Sequence, residues 1–203
     1  CASCSQDCGT CSTGNTITAA SCELADVQAA VNAAQGANSY LEGDVVKVPA
    51  GTCTWSGSLS IDKGITLQGQ GKTATIINLN SRVNINTTQG FRITGIRFHG
   101  GISALIFIEN QNPQGFRIDN CYFTDIDTSG NNAISLFPYN PYGHPRGVID
   151  HCDFEYHRII VTGDITCHID RAAEPNSLGT SDTIIVEDCN FKWPVPATQG
   201  KTF

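Results

Sequence analysis

The sequence predicts an all-β protein: a right-handed parallel β-helix, which is a single-stranded solenoid, with a short N-terminal capping α-helix. Three observations predict it. An apolar position recurs about every 25 residues, cysteine and phenylalanine columns follow that position, and an amphipathic segment precedes the first repeat. A repeat of this length is typical of a solenoid, because each coil buries its apolar face only by stacking on its neighbours.

The repeat is centred on one apolar residue per coil, and its intervals are 26, 25, 31 and 37 residues. The recurring residues are Leu67, Ile93, Ile118, Ile149 and Val186. Two positions later stand Gly69, Gly95, Asn120, His151 and Asp188. These residue types enter the left-handed backbone region most readily, so this column predicts a sharp corner between two strands. The longer intervals indicate loop insertions.

Two further columns follow the corner. They are Ile96, Cys121, Cys152 and Cys189, and then Phe98, Phe123, Phe154 and Phe191. A spacing of two residues along a strand places both columns on one face, which we expect to be the core. The three cysteines should remain buried thiols, because stacked strands about 4.8 Å apart hold Cβ atoms beyond the disulfide range of about 3.5–4.5 Å. A third strand per coil is predicted in Ala104–Ile108, Ala133–Phe137 and Arg158–Val161.

The segment before the repeats predicts a cap. A helix is expected to begin around Ser21, with Leu24, Val27, Val31 and Ala34 along one face. This helix should cover the edge of the first coil. The first coil begins at Asp44–Val48 and continues into a predicted turn at Pro49–Cys53. Because these segments should touch, we predict a disulfide between Cys22 and Cys53. Residues 1–20 then form a cysteine-rich segment, and residues 21–203 form the capping helix plus the β-helix.

The composition points to export. The chain contains ten cysteines and no methionine, which favours a processed protein in an oxidising compartment, extracellular or at the cell surface. The net charge of -7 argues against nucleic acid as a partner, because phosphate contacts need clustered Lys and Arg. No apolar run is long enough to predict a membrane span.

Residues 16–203 resemble the pectate-lyase-like superfamily of secreted parallel β-helix proteins. The matching stretches are Asp26–Ala34, Val48–Trp55 and Ile65–Gly69. The resemblance implies the fold and leaves the activity undecided, since that superfamily includes lyases, hydrolases and structural proteins.

One motif of this superfamily suggests calcium. Val148-Ile149-Asp150-His151 resembles the Trp-Ile-Asp-His motif of true pectate lyases, with Val148 in place of the tryptophan. In that family, acidic residues near the motif hold calcium. Here the candidate metal ligands are Asp119, Asp150 and Glu187, an outward column of hard carboxylate oxygens. The alternative is that these acids are solvated and that His151 only fills the corner. The basic residue that abstracts the proton in that family would lie beyond residue 203, so no catalytic residue is assigned.

Two long loops are the candidate substrate-binding regions, because insertions on a regular scaffold often carry binding residues. Tyr139 and Tyr142 could stack on sugar rings, and Arg146 or Arg171 could pair with a carboxylate. The alternative is that these loops pack against the wall of the solenoid.

The N-terminal segment carries Cys1, Cys4, Cys8 and Cys11, spaced as C-x₂-C-x₃-C-x₂-C. We expect cross-links within this segment or to a neighbouring chain. Zinc bound by four thiolates and lipidation of Cys1 are the alternatives.

Two functions follow from these observations. The first is an exported structural or adhesive solenoid that self-associates at the cell surface, head-to-tail or side-to-end, into filaments. Lys192–Phe203 has two prolines and no helical face, so it predicts no cap over the last coil. The alternative is a polysaccharide lyase or hydrolase, or a relative that only binds sugar.

Overall fold

The computed structural model of the 203-residue chain describes residues 14–100, 104–109, 113–124, 132–137, 146–155, 158–161 and 184–192. One helix and eighteen strands lie in these ranges. In chain order they are β1 (Thr16–Thr18), α1 (Leu24–Ala33), β2 (Val45–Lys47), β3 (Gly51–Trp55), β4 (Leu59–Ile61), β5 (Thr66–Gln68), β6 (Thr75–Leu79), β7 (Val83–Ile85), β8 (Arg92–Thr94), β9 (Arg97–His99), β10 (Ala104–Glu109), β11 (Gln114–Asp119), β12 (Tyr122–Thr124), β13 (Asn132–Phe137), β14 (Arg146–Asp150), β15 (Asp153–Glu155), β16 (Arg158–Val161), β17 (Ile184–Glu187) and β18 (Asn190–Lys192).

The strands form three sheets, and every strand pair in them is parallel. The first sheet has the order β1-β2-β5-β8-β11-β14-β17, the second β3-β6-β9-β12-β15-β18, and the third β4-β7-β10-β13-β16. From β2 onward the chain visits the three sheets in turn, and we call one such passage a coil. Each coil therefore pairs with the coil before it and the coil after it, so most contacts of the core join neighbouring coils.

The core is built from the columns that the repeat predicts. Leu67, Ile93, Ile118, Ile149 and Val186 are aligned across the first sheet. Phe98, Phe123, Phe154 and Phe191 are aligned across the second sheet. Their rings stack with centroid distances of 5.7, 5.0 and 4.7 Å along the column. Such offset ring stacks add to the free energy gained by burying the rings.

The corner between the first and second sheets agrees with the prediction in four coils. Gly95, Asn120, His151 and Asp188 have φ angles of 69°, 52°, 52° and 49°, in the left-handed region. Gly69 also lies between two strands, β5 and β6, but it does not have the positive φ expected for this column. Glycine is required at this position because the neighbouring coil lies close: a Cβ at Gly69 would lie 2.3 Å from the carbonyl oxygen of Gly95.

The third sheet contains the third strand of each coil, as predicted. The turn predicted at Pro49–Cys53 is wrong, because Gly51–Trp55 forms β3 and pairs with β6. Alternation explains this strand: Cys53 and Trp55 are buried, while Thr52 and Thr54 are exposed. The turn residues Pro49 and Ala50 only precede it.

We call the end of the sheets formed by β1, α1 and the first coil (β2, β3, β4) the near end. Helix α1 buries Val27, Ala30 and Val31 against it and contacts all four of these strands. Strand β1, which the sequence did not predict, pairs with β2 and covers its edge. At the C-terminus of the helix, Lys63 Nζ donates hydrogen bonds to the carbonyl oxygens of Asn32 and Ala34.

The edges of β3 and β4 are also occupied. The predicted disulfide between Cys22 and Cys53 is confirmed and ties the segment before α1 to β3. The Trp55 Nε1 group, on the same strand, donates to the carbonyl oxygen of Cys22 at 2.9 Å. On β4, the side-chain amide of Gln28 accepts from the Ser60 N–H at 2.9 Å and donates to the Ser60 carbonyl oxygen at 3.1 Å. Gln28 thus takes the place of a neighbouring strand.

The cysteines of the inner column remain thiols, as predicted. Cys121 and Cys152 are buried, and Cys189 is half-buried. The thiols of Cys152 and Cys189 lie 3.6 Å from the carbonyl oxygens of Ile118 and Ile149, one coil earlier. Burial raises the pKa of the Cys189 thiol to about 11, so the thiolate is disfavoured at neutral pH.

Candidate functional site

An ion-pair network runs along the outer side of the first sheet, next to the corner column. The Arg92 guanidinium donates from Nε to Asp119 Oδ1 and from Nη2 to Asp119 Oδ2, both at 2.7 Å. One coil further, Arg117 makes the same two bonds to Asp150, at 3.0 and 2.7 Å. Each arginine therefore reaches forward to the aspartate of the next coil. Arg117 also lies 3.8 Å from Asp119, which joins the two pairs.

Both aspartates are buried, and both are held in the ionised form. Burial alone would raise the pKa of the Asp119 carboxyl, but the hydrogen bonds from Arg92, Asn120 and Thr94 outweigh it and the pKa is lowered. For Asp150, burial likewise acts to raise the pKa of the carboxyl, but the hydrogen bonds from Arg117 outweigh it and the pKa is lowered. Two bidentate pairs of this kind have favourable geometry for a partly buried ion pair.

The three candidate metal ligands stack in register, as the repeat predicts. The alternative that these acids are solvated is wrong for two of them, because Asp119 and Asp150 have 0% and 2% exposure. Glu187 is exposed. Two of these acids are occupied by guanidinium groups, and among the described residues no three His, Cys, Asp or Glu side chains form a group that could hold a metal ion.

The two further acids near the motif are paired as well. Asp153 accepts from Lys72 Nζ at 2.5 Å and from Asn190 Nδ2 at 3.3 Å. Glu155 accepts a hydrogen bond from the Tyr122 hydroxyl, and this bond raises the pKa of Tyr122. The guanidinium of Arg97 lies over the Tyr122 ring, 4.8 Å from its centroid. These two acids, on β15 of the second sheet, thus have partners of their own, separate from the network of the first sheet.

His151 stands at the end of the ion-pair network. Its Nδ1–H donates to Asp150 Oδ2 at 2.8 Å, and this bond directs Nε2 outward, 4.0 Å from Asp188 Oδ2. The corner residue one coil earlier does the same: Asn120 Nδ2 donates to Asp119 Oδ2 at 2.7 Å. His151 therefore repeats a structural contact, and it adds an exposed imidazole nitrogen that asparagine lacks.

Of the four candidate substrate-binding residues, the structure describes one, Arg146. Arg146 is half-buried at the start of β14, where its backbone N–H donates to the Pro113 carbonyl oxygen. Tyr139, Tyr142 and Arg171 lie outside the described residues. The same holds for Cys1, Cys4, Cys8 and Cys11, so the predicted cross-link cluster stays a prediction.

We call the opposite end of the sheets, formed by β16, β17 and β18, the far end. Val186 and Phe191 continue the two core columns, but they are 45% and 53% exposed, whereas the preceding members Ile149 and Phe154 are buried. Ile185 on the outer side of β17 is 48% exposed. Within the described ranges, these three strands have a paired neighbour on one side only. The far end thus presents unpaired strand edges beside a slice of the apolar core.

No helix among the described residues is both long and apolar enough to cross a membrane. Neither a comparison with protein-family models nor one with curated proteins finds a significant match to the chain.

The arginines of the network were missed by reasoning from the sequence, although a signal was present. Arg92 and Arg117 each stand one residue before the recurring apolar position. The acids Asp119 and Asp150 each stand one residue after it, in the next coil. An arginine one residue before the recurring apolar position, with an aspartate one residue after that position in the next coil, predicts such a diagonal pair.

Proposed function

We propose that the three sheets are the walls of a right-handed parallel β-helix, and that the protein is an exported structural scaffold that associates with its own copies through the far end. The cyclic order of the strands through three parallel sheets supports the fold. The disulfide and the high cysteine content support an oxidising location.

The proposal of self-association rests on one observation: the two ends of the scaffold differ in how far other parts of the chain cover them. At the near end, β1 covers the edge of β2, the Cys22–Cys53 disulfide lies against β3, and the Gln28 amide bonds to the backbone of Ser60 on β4. At the far end, Val186, Ile185 and Phe191 are exposed together. Clustered apolar exposure beside unpaired strand edges is a surface that recruits another chain.

The network of arginines and aspartates also favours a scaffold. Its carboxylates are neutralised within the protein, so they stabilise the stacking of coils and are not free to bind calcium. A wall of this type is stiff and regular, as a structural or adhesive element requires.

The test is the concentration dependence of the mass of the full chain, measured by light scattering under oxidising conditions. We expect the wild-type chain to associate and the variant Phe191→Glu to shift to the monomer. The matched control is Leu41→Glu, because Leu41 is also an exposed apolar residue (38%) but lies before β2, away from the far end. A wild-type chain that remains monomeric at high concentration would overturn the proposal.

One observation favours a second candidate, a sugar-acting enzyme. His151 is an exposed imidazole whose Nδ1 is held by a buried carboxylate, an arrangement suited to a general base at Nε2. Assays on a panel of uronate polysaccharides, with and without calcium, test it. The variant His151→Asn is the appropriate control, because Asn120 occupies the same corner one coil earlier with the same φ of 52°. Activity that this variant abolishes would favour the enzyme.

A further inference from the structure

The near end restricts how the copies can associate. A head-to-tail stack needs the far end of one chain to pair with the first coil of the next. There the edge of β2 is covered by β1, the backbone of Ser60 on β4 is bonded to Gln28, and the Cys22–Cys53 disulfide lies against β3. Strand β1 itself has a paired neighbour on one side only, but its exposed residues, Thr16 and Thr18, are polar. Of the two ends, only the far end exposes large side chains of the core columns within the described residues, so its complement is another far end.

The far end is self-complementary around its corner. Val186 lies two residues before Asp188 and Phe191 two residues after Cys189, and both belong to inward-facing columns. Ile185 and Lys192, and likewise Glu187 and Asn190, are placed symmetrically about the same corner. A two-fold axis at this corner therefore exchanges an aliphatic core residue with an aromatic one. It also sets an acid opposite an amide, which avoids a like-charge contact at those positions.

We propose that two chains dock far end to far end about a two-fold axis at the Asp188–Cys189 corner, with Val186 of each chain packed on the partner's Phe191. This inference rests on the self-association proposed above and gives it a geometry. The interface is isologous, since the same patch is used by both copies. Association therefore stops at the dimer, and the near ends point away from each other.

The chemistry of the patch agrees with this occupant. The ring of Phe191 stacks on Phe154 with a centroid distance of 4.7 Å through one face. Its 53% exposure leaves apolar surface for the aliphatic Val186 of the partner. Asp188 and Cys189 are the residues nearest the axis, and in the same register Asp188 lies opposite the partner's Cys189. The side chain of Asp188 is 71% exposed, so it can remain hydrated at the rim.

Thiol cross-linking of the full chain tests the geometry. In a background in which Cys189 and the N-terminal Cys1, Cys4, Cys8 and Cys11 are replaced by serine, chains carrying Ile185→Cys are mixed with chains carrying Lys192→Cys and treated with a short bis-maleimide. Both positions are exposed, whereas Cys121 and Cys152 are buried and should not react. We expect a covalent dimer of twice the chain mass, with peptide mapping that joins position 185 of one chain to position 192 of the other.

The outcomes separate this inference from the proposed function. A chain that associates by light scattering but gives no link between positions 185 and 192 overturns the two-fold geometry and leaves self-association standing. Growth beyond the dimer also overturns it. A chain that is monomeric by light scattering overturns both. As a control, adding Phe191→Glu to both partners should remove the link, while adding Leu41→Glu should leave it.

Discussion

The same columns of residues run through the near end and the far end, but their side chains are buried at the near end and exposed at the far end. At the near end the core column begins with Val46, which is fully buried because α1 and β1 cover the first coil. At the far end the equivalent Val186 is 45% exposed. Whether a residue in such a fold is buried therefore depends on the neighbouring coils and not on the residue type. Each end needs a separate element that covers it.

The largest expected effect comes from opening the near end. The double substitution Cys22→Ala with Cys53→Ala removes a bridge that spans 31 residues, and we expect it to lower the free energy of unfolding by about 3–4 kcal/mol. Denaturant unfolding followed by circular dichroism measures this loss. If the near end owes little to its bridge, the double variant will unfold at the wild-type denaturant concentration.

The next effect concerns the ion-pair network between the two ends. The substitution Arg117→Leu leaves Asp150 buried without its main partner, and we expect a loss of about 2–3 kcal/mol, between the values for exposed and buried pairs. The loss should depend on pH. Because the pKa of Asp150 is lowered in the folded protein, the pair stabilises above the unfolded pKa of about 3.9, and this contribution disappears as the pH falls through the folded-state value.

The difference in unfolding free energy between wild type and Arg117→Leu should therefore shrink in acid. The matched control is Arg117→Val with Asp150→Thr, which uses the residues that other coils carry in these two columns, Val148 and Thr94. It should recover part of the stability, since no buried charge is left without a partner. A difference that stays constant from pH 7 to pH 3 would contradict the assignment.

A smaller effect is expected from the strand mimic at the near end. The substitution Gln28→Ala leaves the N–H and C=O groups of Ser60 without their amide partners, which should cost about 1–2 kcal/mol. The variant Gln28→Glu keeps the acceptor for the Ser60 N–H but lacks the donor, so it should lose less. Hydrogen exchange at Ser60 provides the local measurement, and unchanged protection in both variants would count against the role of Gln28.

The smallest expected effect is a gain at the far end. Val148 occupies the arginine column beside Glu187 of the next coil, so Val148→Arg would extend the network by one diagonal pair. Because Glu187 is exposed, we expect a stabilisation of only about 0.2–1 kcal/mol, which high salt should abolish. The uncharged variant Val148→Met is the control. Equal stability of the two variants at low salt would show that no pair forms.

The corner column and the core columns could be predicted because their causes are local. Asn120, His151 and Asp188 occupy left-handed corners that few other residue types accept, and the residues two positions further on face inward by alternation. Gly69 shows the limit of this reasoning. The same residue type is required there by the approach of a neighbouring coil, which no local pattern reveals.

Features that depend on pairing between coils were harder to predict. The residues of β1 are too few to show a period, and Pro49 before β3 resembles the start of a turn even though Thr52 to Trp55 alternate as a strand does. The pairing of Asp119 and Asp150 was not predicted, since their arginine partners stand 27 and 33 residues earlier in the chain.

The sealed near end also has a consequence for the order of events during synthesis. Residues 14–61 contain β1, α1, the disulfide and the whole first coil, so the ribosome releases this unit before the later coils. Each later coil can then add to an existing strand edge, which avoids the slow nucleation of a parallel sheet from distant segments. The cap would thus act as a template for growth in one direction, from the first coil to the last.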